Sequence, residues 1–483
     1  MEVLQRTANR GSISTGSYEV DNSVKLQTAG VNSEFFNYTI GTTGNRTKGT
    51  VSMWIKRSSL GTLQYLWEQS GADNEQGRIF VRFGTDDTLR IGTGSTVLRN
   101  TNRVFRDTSA WYHIVVAIDT TSGTADNRTR LYVNGVEETS FSTTTNFSQN
   151  DNTGMNYGKQ FIGLSVEDES SFQSFNGYMA EVFGADGLVY AASDFGEFDS
   201  SGIWKPKDLS AISSSVGTNG FYMKFENATG MGANSAGSGH GFSVQNINQG
   251  DQTTDVPSNN FCIMNVNSRT NSDITTSQGG TVVSNSGASI CSMNASMGVS
   301  NGKWTWECRF ANDPGFTNTV FVGIAATNDP YVPHNSNNYL GQQTGYGSIG
   351  WYFVNGGIYN GTGTWTGPGY GNIIMFALDM DNLKLYFGKE GVWQNSSNPV
   401  TNTNGIDIAT SFASLSGGTD IILPAISVAG GDNMDSMNFG GFANYTQAST
   451  ETDENGYGTF EYAPPSGYYA LCGKNLAEFG GTA

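Results

Sequence analysis

The chain has 483 residues, of which only 14% are charged, 37% are hydrophobic and 63 are glycines. This length predicts two hydrophobic cores rather than one, and the hydrophobic content excludes global disorder despite the many glycines. The net charge is −18, and the 25 Lys and Arg residues form no dense run. Nucleic acid is therefore excluded as the expected partner.

The sequence also lacks membrane and export signals. No segment approaches the run of about 20 apolar residues that spans a bilayer, and residues 1–6 lack the apolar core of a signal peptide. We therefore expect a product that stays in the cytoplasm where it is made and does not insert into a membrane. The cysteines have neither metal-site spacing nor disulfide density, so we expect reduced, buried thiols at Cys262, Cys291, Cys308 and Cys472.

Alternation of apolar and polar residues with a period of two predicts β-strands in the first half of the chain. The alternating runs lie at residues 49–56, 78–83, 111–118, 130–133 and 177–183. Asn134 and Gly135 predict a type I′ hairpin, because both central residues of that turn take a positive φ. We place an N-terminal arm at residues 1–21 and a first antiparallel β-sandwich at residues 22–204.

The strand pattern loosens between residues 205 and 260, where Gly-rich and polar runs occupy 229–241 and 249–257. One strand-like run remains at residues 221–225. We therefore predict a packed connector that contains one or more strands, rather than a flexible tether.

Strand-like alternation returns in the second half and predicts a second antiparallel β-sandwich over residues 261–470. Residues 471–483 are assigned to a C-terminal tail. The alternating runs of the second sandwich lie at residues 302–310, 320–325, 349–353, 373–379, 383–387 and 421–428.

Short motifs in each half resemble known modules. The first half resembles laminin-G-like, concanavalin-type modules through Trp-Tyr-His-Ile-Val-Val at 111–116, Leu-Tyr-Val-Asn-Gly at 131–135, Phe-Ile-Gly at 161–163 and Phe-Asn-Gly-Tyr-Met-Ala-Glu-Val at 175–182. The second half resembles a SPRY domain through Gly-Lys-Trp-Thr-Trp-Glu at 302–307, Val-Gly-Ile-Ala at 322–325, the run at 377–387 and Pro-Ala-Ile-Ser-Val at 424–428. These resemblances imply an all-β protein of two tandem concanavalin A-like antiparallel β-sandwiches of the jelly-roll type.

The joins between the modules resemble the laminin-G-plus-SPRY virion proteins of tailed bacteriophages. The relevant segments are residues 195–207, 220–225, 255–262 and 464–472. The resemblance implies a virion structural protein, assembled in the host cytoplasm, that forms a homo-oligomer and contacts other virion proteins. Its expected role is a tail fibre or adhesion component that binds a host-surface glycan or protein receptor. The alternative is a head decoration or tail-attached protein that contacts only other virion subunits.

Acidic residues do not form a convincing catalytic pair. Glycosidases that retain configuration place two carboxyl groups about 5–5.5 Å apart. The acids at residues 167–169 lie in a polar loop, those at 379 and 381 precede the turn residue Asn382, and Glu181 stands alone on its strand. We therefore expect no enzyme activity, with a glycan depolymerase as a remote alternative.

Neither nucleophilic catalysis nor a metal centre is predicted. The histidines at 113, 240 and 334 lie in a strand, a Gly-rich linker and a loop, and no GxSxG elbow accompanies them. Loop Asp and Asn pairs at 312–313, 328–329 and 432–433 could supply oxygen ligands for calcium, but such pairs also form turns. No cofactor is therefore predicted, and calcium stays open as an alternative.

Aromatic residues in turn-prone sequence are the candidate ligand-binding or partner-binding residues. Flat exposed rings stack on sugar faces and anchor protein contacts at a small entropic cost. Because the SPRY resemblance implies a partner surface in the loops at one end, the candidates are Tyr331, Tyr359, Trp365 and Tyr370. The alternative is that these rings cap the core or meet a neighbouring subunit. By contrast, strand alternation predicts a buried position for Trp54, Trp111, Trp304 and Trp306.

Overall fold

The computed structural model describes residues 18–29, 32–70, 77–165, 173–310, 320–329, 332, 338–343, 347–353, 355–361, 367–412, 421–429 and 433–480. It separates into two compact units, of which the first is Ser14–Ser258 and the second contains Asn259–Ala483. Antiparallel strands dominate both units, which confirms the predicted all-β class. Among the residues described here, no helix has the length and apolar character that crossing a bilayer requires.

The described residues of the first unit form 18 strands, one short α-helix and three 3₁₀ turns. The strands are β1 (Ser23–Leu26), β2 (Phe35–Thr39), β3 (Lys48–Arg57), β4 (Gln64–Ser70), β5 (Ile79–Phe83), β6 (Thr88–Thr93), β7 (Thr96–Val104), β8 (Trp111–Asp119), β9 (Thr129–Val133), β10 (Val136–Glu137), β11 (Phe141–Thr144), β12 (Lys159–Ile162), β13 (Gly177–Asp186), β14 (Gly196–Phe198), β15 (Trp204–Pro206), β16 (Phe221–Met223), β17 (Ser243–Gln245) and β18 (Gln252–Thr253). Helix α1 is Ser210–Ser213, and the 3₁₀ turns are Ala125–Arg128, Ala192–Asp194 and Gln249–Asp251.

The described strands of this unit form two eight-stranded antiparallel sheets and one two-stranded sheet of β14 and β15. Sheet A has the order β10-β9-β8-β3-β13-β1-β18, with β16 paired to β13, and sheet B has the order β11-β7-β6-β5-β4-β12-β2-β17. Every second residue of each long strand enters the core, as Val51, Met53 and Ile55 do in β3. The predicted hairpin between β9 and β10 is confirmed, since Asn134 and Gly135 have φ values of 48° and 81°.

Irregular segments cover the outer face of sheet A. The region interpreted from the sequence as a connector supplies β16, β17 and β18 to the sheets of this unit. A buried ion pair holds the last part of that region on the sheet, because Lys56 Nζ lies 2.6 Å from Asp255 Oδ2. Trp111 Nε1 donates to the other oxygen of Asp255 at 3.1 Å. Trp54 and Trp111 are buried as predicted, Trp54 on this outer face, where its ring stacks on His113.

In the second unit, the part of the chain that the structure describes forms 15 strands, two short α-helices and two 3₁₀ turns. The strands are β19 (Met264–Arg269), β20 (Ile274–Ser277), β21 (Val282–Asn285), β22 (Cys291–Ala295), β23 (Lys303–Phe310), β24 (Val320–Ala326), β25 (Ser348–Tyr352), β26 (Ile358–Tyr359), β27 (Ile373–Asp379), β28 (Lys384–Lys389), β29 (Val392–Trp393), β30 (Ile406–Asp407), β31 (Ile422–Val428), β32 (Asn433–Asn438) and β33 (Tyr469–Ala470). The helices are α2 (Ile408–Ser411) and α3 (Gly473–Phe479), and the 3₁₀ turns are Gln278–Gly280 and Gln394–Ser396.

Sheet C of the second unit has the order β19-β22-β31-β24-β25-β26, and sheet D has the order β20-β21-β32-β23-β27-β28-β29. Strands β30 and β33 pair with β28 and β23 of sheet D. Trp304 and Trp306 lie fully buried in the core, as predicted. All four cysteines are buried and unbridged.

Buried carboxylates hold the C-terminal segment against sheet D. The Glu307 side chain accepts hydrogen bonds from the backbone N–H groups of Glu461 at 3.0 Å and Tyr462 at 2.9 Å. Burial raises the pKa of Glu307 to about 7. Asp453 accepts in the same manner from the Ala470 N–H at 3.0 Å and from Asn475 Nδ2 at 2.7 Å.

The Lys56–Asp255 pair offers a direct test of how the covering segment is held. Replacing Asp255 with Ala leaves the buried Lys56 ammonium without this carboxylate, so we expect the free energy of unfolding to fall by about 3–5 kcal/mol. Urea denaturation followed by tryptophan fluorescence measures the change. The control is Glu137→Ala, which removes an exposed pair with Arg130 and should cost less than about 1 kcal/mol. Equal stability of the two variants would contradict the assigned role.

Candidate functional site

Four aromatic rings gather on the outer face of sheet C and form what we call the tyrosine cluster: Phe321, Tyr339, Tyr352 and Tyr359. The alternation of strand side chains explains three of these positions. Phe321 lies between the core residues Val320 and Val322 in β24, Tyr352 follows the core residue Trp351 in β25, and Tyr359 follows the core residue Ile358 in β26. The fourth ring, Tyr339, belongs to an irregular segment that lies over the same face.

The cluster has a defined ring geometry. Phe321 stacks on Tyr339 with a centroid distance of 4.3 Å and an interplanar angle of 4°, and on Tyr352 with values of 4.7 Å and 19°. Tyr359 meets Phe321 edge-on at 5.1 Å and 85°. Stacked and edge-to-face arrangements are the favourable geometries for aromatic pairs, so each ring restrains its neighbours.

Small and hydroxylated residues of sheet C hold the segment that carries Tyr339. The Leu340 N–H donates to Ser427 Oγ at 3.0 Å, and the Gly341 N–H donates to Ser348 Oγ at 3.1 Å. The segment passes so close to Gly350 that a Cβ there would lie 2.6 Å from the Leu340 carbonyl oxygen. A glycine in β25 is therefore required for the segment to reach the sheet.

The three tyrosine hydroxyls of the cluster are available to a ligand. Within the part of the chain that the structure describes, the hydroxyls of Tyr339, Tyr352 and Tyr359 have no hydrogen-bond partner, and all three side chains are partly exposed. Burial, with Tyr359 and Tyr352 close by, raises the pKa of Tyr339. Its hydroxyl therefore stays protonated at neutral pH and can both donate and accept a hydrogen bond.

The two predicted site residues that the structure describes, Tyr359 and Tyr370, lie in different surroundings. Tyr359 belongs to the tyrosine cluster, whereas Tyr370 packs against Phe353 at 5.4 Å beside the main core. Tyr331 and Trp365 lie outside the described residues. Sequence reasoning did not select Tyr339 or Tyr352, although the alternation of Tyr352 with Trp351 places its side chain on the outer face.

A buried Ser–His contact in the first unit does not have the arrangement of a nucleophile and its base. Trp204 Nε1 donates to His113 Nδ1 at 3.0 Å, so the ring proton of the neutral imidazole sits on Nε2. Nε2 therefore donates to Ser52 Oγ, 2.9 Å away, and cannot remove a proton from it. Burial lowers the pKa of His113 to about 3, which keeps the ring neutral.

The candidate carboxylates occupy structural positions. Glu181, at a bulge in β13 with a φ of 50°, accepts hydrogen bonds from the hydroxyls of Tyr222 and Tyr18, and burial raises its pKa to about 7. Asp379 accepts from the Asn382 N–H at 2.9 Å, and Asp381 accepts from the Gly302 N–H at 2.8 Å. The acids at residues 167–169 lie outside the described residues.

The structure describes in full one of the three loop Asp/Asn pairs that could supply calcium ligands. In the described ranges, no group of three or more His, Cys, Asp or Glu residues could hold a metal ion. Asp329 belongs to the one Asp/Asn pair that is described in full, and its Oδ1 accepts from the Val332 N–H at 3.2 Å, as in a turn. The pair at 312–313 and residue 432 lie outside the described residues.

Gly350 tests whether the cluster depends on the close approach of the irregular segment. Gly350→Ala forces a Cβ against the Leu340 backbone, so we expect a loss of about 1–3 kcal/mol in the free energy of unfolding. The near-ultraviolet circular dichroism of the stacked tyrosines should weaken as well. Gly123→Ala is the control, because a Cβ at Gly123 meets nothing within 4 Å. An unchanged spectrum for the Gly350 variant would show that the segment does not need this glycine.

Comparison with known proteins gives a family match for part of the first unit. Residues 32–183 match the family model Laminin_G_3, described as the concanavalin A-like lectin/glucanases superfamily. A search of the curated proteins found no match. The family match thus covers about a third of the chain and agrees with the predicted laminin-G-like character of residues within the first sandwich.

Similar solved structures include three β-proteins, each aligned with part of this chain. The SPRY domain of human HERC1 is 16% identical, with a TM-score of 0.27, and the match covers 36% of this chain and 96% of that domain. The heptameric SAP-like pentraxin of Limulus polyphemus is 17% identical, with a TM-score of 0.26 and coverages of 35% and 78%. Domain 4 of AbnA, an extracellular GH43 arabinanase of Geobacillus stearothermophilus solved with arabinotriose, is 18% identical, with a TM-score of 0.25 and coverages of 34% and 72%.

Proposed function

We propose that this chain is a non-catalytic binding protein whose tyrosine cluster contacts a surface glycan or a protein receptor. One observation carries the proposal: three partly exposed tyrosines pack around Phe321, two stacked and one edge-on, while their hydroxyls have no hydrogen-bond partner among the described residues. Rings that are already restrained lose little conformational entropy when a ligand binds. An aromatic surface of this kind gives a sugar both an apolar contact and hydrogen-bonding groups.

The absence of catalysis is part of this proposal and is supported by the roles of the candidate groups. The His113 ring donates to Ser52 rather than accepting from it, and Asp379 and Asp381 accept hydrogen bonds from turn backbone. Glu181 is bound by two tyrosine hydroxyls. Among the described residues, these contacts give none of the four groups a partner for acid/base cleavage of a glycan.

We further propose that the protein acts in the particle of a tailed bacteriophage, as a tail fibre or adhesion component. The sequence motifs at the joins between the two modules support this proposal, because they resemble the laminin-G-plus-SPRY virion proteins. In such a particle the chain would contact other virion proteins and occur as a homo-oligomer. The alternative assigns it to the head surface, in contact with virion subunits only.

Substitution of the cluster tests the binding site. We expect Tyr359→Ala and Tyr339→Ala to weaken binding of the purified chain to host cells by about tenfold each, because hot-spot aromatic residues contribute about that much or more. Tyr359→Phe keeps the ring and loses only the hydroxyl, so its effect should be smaller. Tyr157→Ala in the first unit is the matched control, since Tyr157 is also a partly exposed tyrosine. Unchanged binding by a Tyr339/Tyr359 double variant would rule out the cluster as the site.

Immunogold electron microscopy of purified phage particles tests the virion proposal. Label at the tail is the expected result, because a host-binding component must reach the cell surface. Label in many symmetric copies on the capsid would favour the head-decoration alternative. Particles that carry no label would contradict a virion role, whatever the binding measurements show.

A further inference from the structure

A straight row of polar side chains crosses the outer face of sheet B in the first unit. The strands place three pairs directly opposite each other: Tyr65 and Arg82, Arg82 and Arg90, and Arg90 and Asn100. Asn100 Nδ2 then donates to Ser142 Oγ at 2.8 Å on β11. We call these residues the polar row: Tyr65, Arg82, Arg90, Asn100 and Ser142. With about 4.8 Å between neighbouring strands, the row extends over about 19 Å.

The two arginines of the polar row differ in the partners that the structure describes for them. Arg78, next to the row, pairs with Glu68 at 2.9 Å, and Arg90 pairs with Asp86 at 2.8 Å. Arg82 has no carboxylate partner within the described ranges of the chain, and its Nε has no hydrogen-bond partner there. Arg82 thus differs from its neighbours Arg78 and Arg90, whose carboxylate partners are described.

The Arg82 guanidinium is held in place by its neighbours. Its Cζ lies 4.5 Å from the centroid of the Phe80 ring and 5.1 Å from that of Tyr65, and one of its terminal N–H groups donates to the Tyr65 hydroxyl. A glycine at position 92 leaves room for Phe80, because a Cβ there would lie 2.2 Å from the Phe80 ring. Cation–π contacts of this kind orient a guanidinium and reduce the entropy lost when it binds an anion.

We propose that the polar row binds a carboxylate-bearing glycan, with Arg82 contacting the carboxylate. Because Nε is buried, the fork that meets the carboxylate consists of the terminal N–H groups that Tyr65 leaves unused. One positive charge that has no carboxylate partner among the described residues matches a monoanion such as a uronate. Asn100 and Ser142 lie further along the row and contact sugar hydroxyls of the same chain. This site lies in the first unit and does not depend on the tyrosine cluster.

Three polysaccharides test the proposal: one is carboxylated, one is neutral and one is sulfated. Their binding to the full chain is measured by isothermal titration calorimetry at 150 mM salt. We expect polygalacturonate to bind, neutral dextran not to bind and dextran sulfate to bind more weakly than polygalacturonate. Arg82→Gln should weaken polygalacturonate binding about tenfold, because a charge-assisted hydrogen-bond pair is lost. Arg130→Gln is the control, since Arg130 belongs to an exposed pair with Glu137 in the same unit.

Arg82→Lys keeps the charge and removes the fork, so it should also weaken binding and serves as a second variant if the Gln protein does not fold. Circular dichroism verifies folding of each variant. The proposal is overturned if the folded parent chain does not bind polygalacturonate, or if dextran sulfate binds as tightly. Retention of full affinity by the folded Arg82 variants would also overturn it. The Arg82 variants leave the tyrosine cluster intact, so an affinity lost in them belongs to the polar row, and this site and the proposed function can fail separately.

Discussion

Buried carboxylates that fasten irregular segments to the outside of the sheets are the interactions on which much of this fold depends. In a β-sandwich the two sheets bury each other's inner faces. An outer face is buried only when a further segment of the chain packs against it. Irregular chain brings polar backbone and charged groups that need partners when they leave water. Asp255 in the first unit and Glu307 in the second supply such partners, to Lys56 and Trp111 and to the backbone at 461–462. Removal of either carboxylate therefore leaves several groups unsatisfied at once.

The way in which irregular segments cover the outer sheet faces also decides which aromatic residues are buried and which can contact a ligand. Trp54 and His113 lie on the outer face of sheet A, where Trp204 of a covering segment closes over the His113 ring. On sheet C, Tyr352 and Tyr359 stay partly exposed beside the described part of the covering segment. Serine hydroxyls hold the part of that segment around Leu340, and a glycine leaves room for it. The two tyrosines are thus partly exposed because the described part of the covering segment does not bury them.

The sequence predicted what local chemistry determines. Alternation placed β3 and β8 to within about two residues, and the Asn134–Gly135 turn was correct because its φ requirement is a property of two adjacent residues. Strands β17 and β18 are only three and two residues long, and they exist because β2 and β1 offer them an edge. No local sequence pattern indicates which strand edge is free to pair with another segment. Tyr359 was selected from its turn-rich context, whereas the Phe321–Tyr339 stack joins a strand to a segment whose position depends on Gly350 and Ser427.

An acidic protein can bind an acidic glycan when the attraction is local and the repulsion is distant. The net charge of −18 is spread over the whole chain, and at physiological ionic strength the Debye length is about 8 Å. Most of the acidic groups are therefore screened from a ligand on sheet B. A carboxylate about 4 Å from Arg82 gains about 4 kcal/mol at an effective dielectric constant of 20, before the cost of desolvating both ions. Phe80 and Tyr65 already flank Arg82 in the folded sheet, so part of the free energy needed to desolvate Arg82 was spent on folding. The attraction between Arg82 and the ligand carboxylate then outweighs the screened repulsion from the acidic groups.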